Sequence, residues 1–465
     1  MYRKAGIAPF ALLLTVLAVY GNALHGTFQF DDYNVIVNSV AVHSWAGWHA
    51  DVVHGLRPLL KLSYTLNWMS GPDDLKPDVL GFHLFNICVH FLNVLLIYAL
   101  ASRLFAHSFG DDPQRKHWAA LFAALLFAVH PVNTEAITYI SGRSMSLMTL
   151  FYLAAFLAYI KGREENKAAW LYAASPALFI LAVASKETAV TLPFALLLWE
   201  VCYAPTASPG NIVRDILRRQ GMHWGVFLLL ALLLLFNDRY WQLMAFSAGL
   251  HSVQENFLTQ LHALTYLLGQ LLLPRQMNID PDLPVITAWS QVWLDGVLWS
   301  ALSAVAIGNL RKRPWLSFAL GWFVLQLFPL YVFLPRLDVA NDRHLYLAGW
   351  AMLLPAAVLC AELIANIRVR NTVAATLLLA LAGLTLVRNE AYRSEVALWE
   401  DTVRSSPHKA RPYNNLGYAY FLAGDRVQAE QAYLTAIKVD PDYWLAENNL
   451  AQLRNNTKPI SAAEE

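Results

Sequence analysis

Charge and cysteine are what this chain has least of. Only 14% of its 465 residues are Asp, Glu, Lys or Arg, and the formal net charge is +1. So little charge does not suit the surface of a soluble protein of this length, and the absence of a clustered basic face argues against nucleic acid as a partner. The three cysteines, Cys88, Cys202 and Cys360, lie within or beside apolar stretches and show no C-x-x-C spacing. They read as small buried hydrophobes, so neither a disulfide framework nor a zinc site is expected.

Apolar sequence takes the place of charge. Hydrophobic residues make up 57% of the chain and the mean hydropathy is +0.39, values that fit a polytopic membrane protein. Sixteen Trp and twenty Tyr suit interfacial belts, where an apolar ring with a polar edge sits at headgroup depth. Apolar runs near 5–23, 82–105, 118–133, 144–161, 168–185, 188–204, 223–237, 291–309, 314–335, 345–367 and 372–388 predict about 11 spans, since about 20 helical residues cross a hydrocarbon core of about 30 Å. The first is expected to be a retained signal-anchor helix, because no small-x-small cleavage site follows it convincingly.

Basic residues of short loops stay on the cytoplasmic side. With Arg3 and Lys4 inside, the groups at Arg103, Arg115 and Lys116, at Lys161, Arg163 and Lys167, and at Arg214, Arg218 and Arg219 all fall inside as well. Residues 262–274 are short for a span. Treating them as an interfacial or re-entrant helix keeps Arg311, Lys312, Arg313, Arg368 and Arg370 inside and puts the C-terminal part outside.

That topology carries five charged segments to one external face: Phe30-Asp31-Asp32-Tyr33, His130 to Glu135, Ser185-Lys186-Glu187-Thr188, Asn278 to Asp282, and Asn341-Asp342-Arg343-His344. Charge this near hydrocarbon is costly unless it faces a polar cavity or finds a partner. A helix end also holds a solvated carboxylate cheaply, so each segment taken singly has two readings. In the external segment 24–81, the stretch from Arg57 to Trp68 has helical periodicity and can lie in the interface. Arg57 and Lys61 then face headgroups or a lipid phosphate.

After residue 388 the composition turns polar. Tyr413, Leu416, Gly417, Tyr420, Ala429, Tyr433, Ala436 and Pro441 follow the tetratricopeptide pattern, and Pro407 to Pro441 and Trp399 to Tyr433 repeat at its 34-residue period. One full repeat lies between partial units at about 390–408 and 443–457, with a frayed tail after it. So few units are expected to pack on the membrane part or on a partner. The expected fold is therefore all-α: a membrane domain over 1–388, a repeat domain over 389–457 and a tail over 458–465.

Taken together, Phe30-Asp31-Asp32, Arg57-Pro58-Leu59, Gly81 to Asn86 with His90, Phe127 to Pro131 with Thr134-Glu135-Ala136, Gly142-Arg143, Ser185-Lys186-Glu187, Asp342-Arg343 with Leu345-Tyr346-Leu347, and the repeats resemble the GT-C superfamily. These are polytopic glycosyltransferases that use lipid-linked sugars, and within them the chain is most like the TMTC O-mannosyltransferases. It differs from the animal members in the shortness of its repeat array. The resemblance implies transfer of mannose or another hexose, with inversion, from a polyprenyl-phosphate donor to a hydroxyl of an external protein or glycan acceptor. The short loops point to a bacterial inner membrane with the site facing the periplasm.

The resemblance also implies that Asp31 is the carboxylate at the point of transfer, with Asp32 beside it. A general base must reach the acceptor proton, and the departing phosphate needs an arginine fork, a lysine or a metal. Arg57, Lys186 and Arg343 are candidates for the phosphate contact, Arg143 joins the donor site through its motif, and Glu135, Glu187 and Asp342 are candidates to orient the cations or the sugar. No residues have dedicated ligand spacing, so no cofactor is implied, and a divalent ion on Asp31 and Asp32 stays open. Two rivals stay open too: a lipid-linked oligosaccharide ligase, and a non-catalytic tetratricopeptide scaffold for envelope assembly.

Overall fold

The computed structural model describes residues 7–52, 55–71, 78–109, 112–203, 209–236, 238–275, 277–333 and 338–460. Arg3, Lys4 and the last part of the expected tail, 461–465, lie outside the described residues. Every regular element among them is helical, in agreement with the all-α expectation. In chain order the helices are α1 Ile7–Tyr20, α2 Trp45–Val52, α3 Pro58–Ser70, α4 Val79–Leu104, α5 Pro113–Val129, α6 Thr134–Ile137, α7 Arg143–Glu165, α8 Ser175–Ser185, α9 Leu192–Tyr203 and α10 Pro209–Leu235. They continue as α11 Asp238–Leu250, α12 Val253–Leu272, α13 Trp293–Asn309, α14 Pro314–Phe333, α15 Leu345–Leu363, α16 Ile367–Ala391, α17 Glu395–Ser405, α18 Ala410–Leu422, α19 Arg426–Val439 and α20 Trp444–Arg454.

Among the described residues, five segments are long and apolar enough to cross a membrane: Ile7–His25, Val79–Leu104, Ile140–Glu165, Asp342–Leu363 and Ile367–Ala391. A sixth arises if α5 and the turn Pro131–Ile137, bent by 53° at His130, count as one. The expected number of about 11 is larger, and the reasons are local. The runs at 168–185 and 188–204 fold into helices α8 and α9 of 11 and 12 residues, each entered through a tighter or wider turn. Helix α13 stops at 17 residues, and α10 carries Arg214, Arg218 and Arg219 in its first half.

The run expected at 262–274 is the second half of a longer element. Helix α12 begins at Val253 behind a capping box in which Ser252 and Glu255 satisfy each other's backbone N–H. Its 20 residues span about 30 Å. Near its start, Asn256 donates to the Val332 carbonyl and Gln260 to that of Val339, while its end offers the Leu271 carbonyl to His130. Val339 and His130 both adjoin the segments that meet at Arg343, so both ends of α12 reach the same end of the bundle.

The bundle interior is held by packing and by a few buried polar bonds. The Tyr346 hydroxyl of α15 meets His90 Nδ1 at 2.7 Å and accepts from Asn93 at 3.1 Å, both on α4. Asn93 also donates to the Ser146 carbonyl of α7 at 2.9 Å. Buried polar groups are stable when satisfied in this way, and these fix α4, α7 and α15 relative to one another beneath the charged face.

Helices α17 to α20 form the repeat module. At Gly417 a Cβ would stand 2.6 Å from the ring of Tyr433, so only glycine lets α18 and α19 approach this closely. The module is docked on the bundle as its small size requires. Asp280, 2% exposed, takes Lys409 and Arg411 together, and the Arg411 guanidinium reaches on to Asp338. Ser406 donates to the Asp280 carbonyl at 2.8 Å. The Asn278–Asp282 segment is thus the strap under the repeats.

Candidate active site

After α1 the chain passes through a tight turn, Gly21–His25, and then reverses at Phe30. Phe30 has φ +43°, a left-handed conformation uncommon outside glycine. Its ring is held edge-on to Trp399, centroids 5.1 Å apart, and its N–H points to Glu395 Oε1 at 3.3 Å. The next two residues start a helical turn, in which neighbours point about 100° apart, and the two carboxylates therefore part company.

Asp32 turns inward and is fully buried. Its Oδ2 accepts the Gln29 N–H at 3.0 Å, and its Oδ1 accepts the Ser141 N–H at 2.8 Å as well as the Ser141 hydroxyl. Burial raises its pKa to about 7 against the pull of those donors. Asp31 turns outward, with its side chain 37% exposed and its N–H given to the Tyr139 hydroxyl at 2.9 Å. Partial desolvation raises its pKa, and the Arg343 guanidinium opposes that rise.

Asp31 opens into a cleft of about 460 Å³. Its charged lining is four cations, Arg57, Lys61, Lys186 and Arg343, against two acids, Asp31 and Asp51. Arg343 stands between carboxylates: Nη1 is 3.9 Å from Asp31, Nε is 3.7 Å from Glu135, and its backbone N–H donates to Glu135 Oε2 at 3.0 Å. Arg57 sits at φ +58° ahead of Pro58, the first residue of α3. It forks onto Glu187, Nε to Oε2 at 2.8 Å and Nη2 to Oε1 at 2.5 Å. Desolvation raises the Glu187 pKa, but Arg57 and then Lys186 overcome this and hold it at about 2. One turn along α3, Lys61 pairs with Asp51 of α2 at 2.5 Å.

The five charged segments expected on one face do meet there, through Asp31–Arg343–Glu135, Arg57–Glu187 and the Asp280 strap. Their roles divide. Asp31, Arg57, Lys186 and Arg343 line the cleft, and Glu135 and Glu187 stand behind two of its arginines. Arg143, expected as a donor contact, is fully buried and outside the cleft lining, donating to Asn86 Oδ1 at 2.6 Å, to the Ser63 carbonyl at 3.1 Å and to that of Phe82 at 2.9 Å. The rings of Tyr64, Phe82 and Phe85 surround it, so it bolts α3, α4 and α7 together.

Asp342, 3% exposed, is also absent from the cleft lining. Asp32, its oxygens taken by protein donors, is not presented to the cleft with Asp31 as a pair for a divalent ion. Among the described residues no group of three or more His, Cys, Asp or Glu side chains converges as a metal site. Sequence reasoning gave no role to Asp51 and Tyr139, and it turned Lys61 with Arg57 to headgroups or a lipid phosphate without placing it among the site residues. Lys61 was within reach of it, four residues from Arg57 and hence on the same helical face. Tyr139 offers no local signal, because its partner lies 108 residues away.

Fold and cleft define a class: an integral membrane protein of apolar helices, with a charged cleft at one end of its bundle and a repeat module docked beside it. The tetratricopeptide repeat family matches residues 410–443. Protein O-mannosyl-transferase F38B6.6 of Caenorhabditis elegans is 28% identical over 466 residues, covering 95% of this chain and 64% of that protein. Protein O-mannosyl-transferase TMTC3 of Mus musculus is 27% identical over 97% of this chain and 53% of its own length, and TMTC4 of Homo sapiens 27% over 92% and 66%. The chain thus spans about half to two thirds of the length of the curated relatives it matches, and the likeness to TMTC-type proteins runs along nearly all of it.

Proposed function

We propose that the protein is a membrane glycosyltransferase that moves mannose or another hexose from a polyprenyl-phosphate carrier to a Ser or Thr hydroxyl of an external protein. The reading rests chiefly on one observation, an acid that opens into a cleft otherwise lined with cations, Asp31 facing Arg57, Lys61, Lys186 and Arg343. Relatives named as protein O-mannosyl-transferases along most of the chain support it. The chemistry needs a base for one proton and positive charge for a leaving phosphate, and the cleft offers both. In a bacterial inner membrane it would open to the periplasm.

In the proposed step the acceptor oxygen attacks the anomeric carbon while its proton passes to the Asp31 carboxylate. The bond from the anomeric carbon to the phosphate oxygen breaks, and the electron pair leaves with the polyprenyl phosphate. A single displacement of this kind inverts the anomeric centre. Arg343 and Lys186 meet the growing phosphate charge, as cations already fixed in place stabilise it without reorganisation. Arg57, locked by Glu187, and Lys61, able to exchange Asp51 for phosphate, complete the donor wall.

The test is transfer from polyprenyl-phosphate mannose to a Ser/Thr-rich peptide by the purified full chain. Removing a positioned general base costs about 10²- to 10⁴-fold, so Asp31→Asn is expected to lose that much rate while its melting temperature stays at the wild-type value. Full activity in Asp31→Asn overturns the assignment.

A further inference from the structure

We infer that the repeat module is part of the active site: Trp399 and Arg411 are positioning residues that hold the Asp31 loop and Arg343 in their working geometry. The inference rests on the reading of Asp31 as the base, and it goes beyond recruitment of an acceptor, the ordinary service of such repeats.

The observations are contacts from the module to the loop itself. Phe30, immediately before Asp31, is kept in its left-handed conformation by the Trp399 ring at 5.1 Å and by Glu395. Such a conformation persists only where its surroundings over-determine it. One residue earlier, Gln29 Nε2 donates to the Tyr392 carbonyl at 2.5 Å. Tyr139, whose hydroxyl takes the Asp31 N–H, stacks on Tyr392 with centroids 6.3 Å apart. The turn that aims Asp31 is therefore gripped on its far side by residues 392–399.

Arg411 acts from the other flank. A crevice of about 10 Å³, close to the volume of one water-sized probe, is lined by Asp31 and Arg343 on one side and by Trp399, Asp338 and Arg411 on the other. Arg411 ties Asp338 to Asp280 there. Asp338 raises the pKa of Asp31, while Arg343 first and Arg411 after it lower it. The other groups that face Asp31 are Tyr139 and Asp32 on the bundle side, and Arg57, Lys61, Lys186, Asp51 and Tyr64 across the cleft. Among all of these, Arg411 is the charge that belongs to the repeats.

Peptide transfer by the full chain, measured as kcat, as KM for each substrate and as a pH profile, separates positioning from recruitment. A misplacement of about 1 Å can cost about 10²-fold, so Trp399→Ala is expected to lower kcat by about 10- to 100-fold, with both KM values within about 2-fold of wild type. Trp399→Phe, which keeps an aromatic edge, restores most of the rate. Arg411→Gln removes a cation that lowers the Asp31 pKa and the foremost of those that face Asp338, with Arg343 and Lys409 remaining, so the acid limb of kcat/KM moves to higher pH, and Arg411→Lys moves it back.

A rise in acceptor KM with kcat and the acid limb unchanged in Arg411→Gln and in Trp399→Leu, which keeps bulk but loses the aromatic edge on Phe30, would mean recruitment alone and overturns the inference. Those two variants decide the matter even if Trp399→Ala fails to fold. Asp31→Asn marks the boundary between the two claims: if it is inactive while the repeat variants behave as wild type, the inference fails and the glycosyltransferase reading stands.

Discussion

At the seam beneath the repeats, Asp280 meets Lys409 and Arg411 at once, whereas across the cleft Arg343 stands 3.9 Å from Asp31 and 3.7 Å from Glu135. The same kinds of residue lie on the same face of the bundle, yet the seam satisfies its charges in contact, whereas at the centre of the cleft Arg343 and its acids stand apart. Charge held near hydrocarbon without close neutralisation is costly. A protein retains it where an incoming group of opposite charge will supply the missing partner. The seam needs no such partner, because the repeat module brings it. Under the proposed function the contrast gives the seam to docking the repeats that hold the Asp31 loop and the cleft to the transfer itself, and it predicts that seam mutations lower stability as well as rate while cleft mutations lower rate with little change in stability.

The largest effect on stability is expected at Arg143, the bolt between α3, α4 and α7. Arg143→Ala strands the Asn86, Ser63 and Phe82 acceptors and empties a pocket between three rings. Buried charge-assisted bonds contribute about 1.5–3 kcal/mol each, so a loss upward of about 3 kcal/mol is expected, read as a large fall in melting temperature in detergent. A near-wild-type melting temperature, with loss of transfer alone, would return Arg143 to the cleft. The seam comes next. Asp280→Ala leaves two cations facing one another, and because both keep some solvent access the cost is set at about 2 kcal/mol, below the 3–5 kcal/mol of a fully buried broken pair. Limited proteolysis is expected to release the repeats from the membrane part faster than in wild type, and equal rates would mean that the strap does not carry the docking.

Much of this was legible in the sequence, and what was not has a physical cause. Apolar length found α4, α7, α15 and α16, and the 34-residue period found the repeats, because both signals are local. The count of about 11 spans exceeds the five or six helices of spanning length among the described residues, because an apolar run does not show where a helix is interrupted. The run at 118–133 bends at His130, and that at 168–185 includes a wide turn over Trp170–Ala174 before α8. Convergence of the charged segments on one face followed from loop charge. Which of them face the cleft did not follow, since adjacent residues on a turn point apart and the outcome is set by distant partners. Asp32 is turned inward by Ser141, 109 residues away, and Arg143 by Ser63, 80 residues away.

The smallest expected effect lies in the Arg57–Glu187 pair at the cleft, and it tests whether that pair is structural or merely poised. Glu187 is held at about 2 by Arg57 and Lys186 in spite of desolvation, against about 4.3 for an unperturbed glutamate in the unfolded chain. A carboxylate depressed on folding adds stability that is fully present above its unfolded value and is lost as pH falls toward its folded one. Both side chains of the pair are 35% exposed, so solvent screening limits the contribution to about 1 kcal/mol or less. The gap in melting temperature between wild type and Glu187→Gln should therefore be small and constant from pH 5 to pH 8, and should close below about pH 4. A gap that widens between pH 6 and pH 8 would show a different titrating group at this wall of the cleft, and Arg57 would no longer count as a preset phosphate contact.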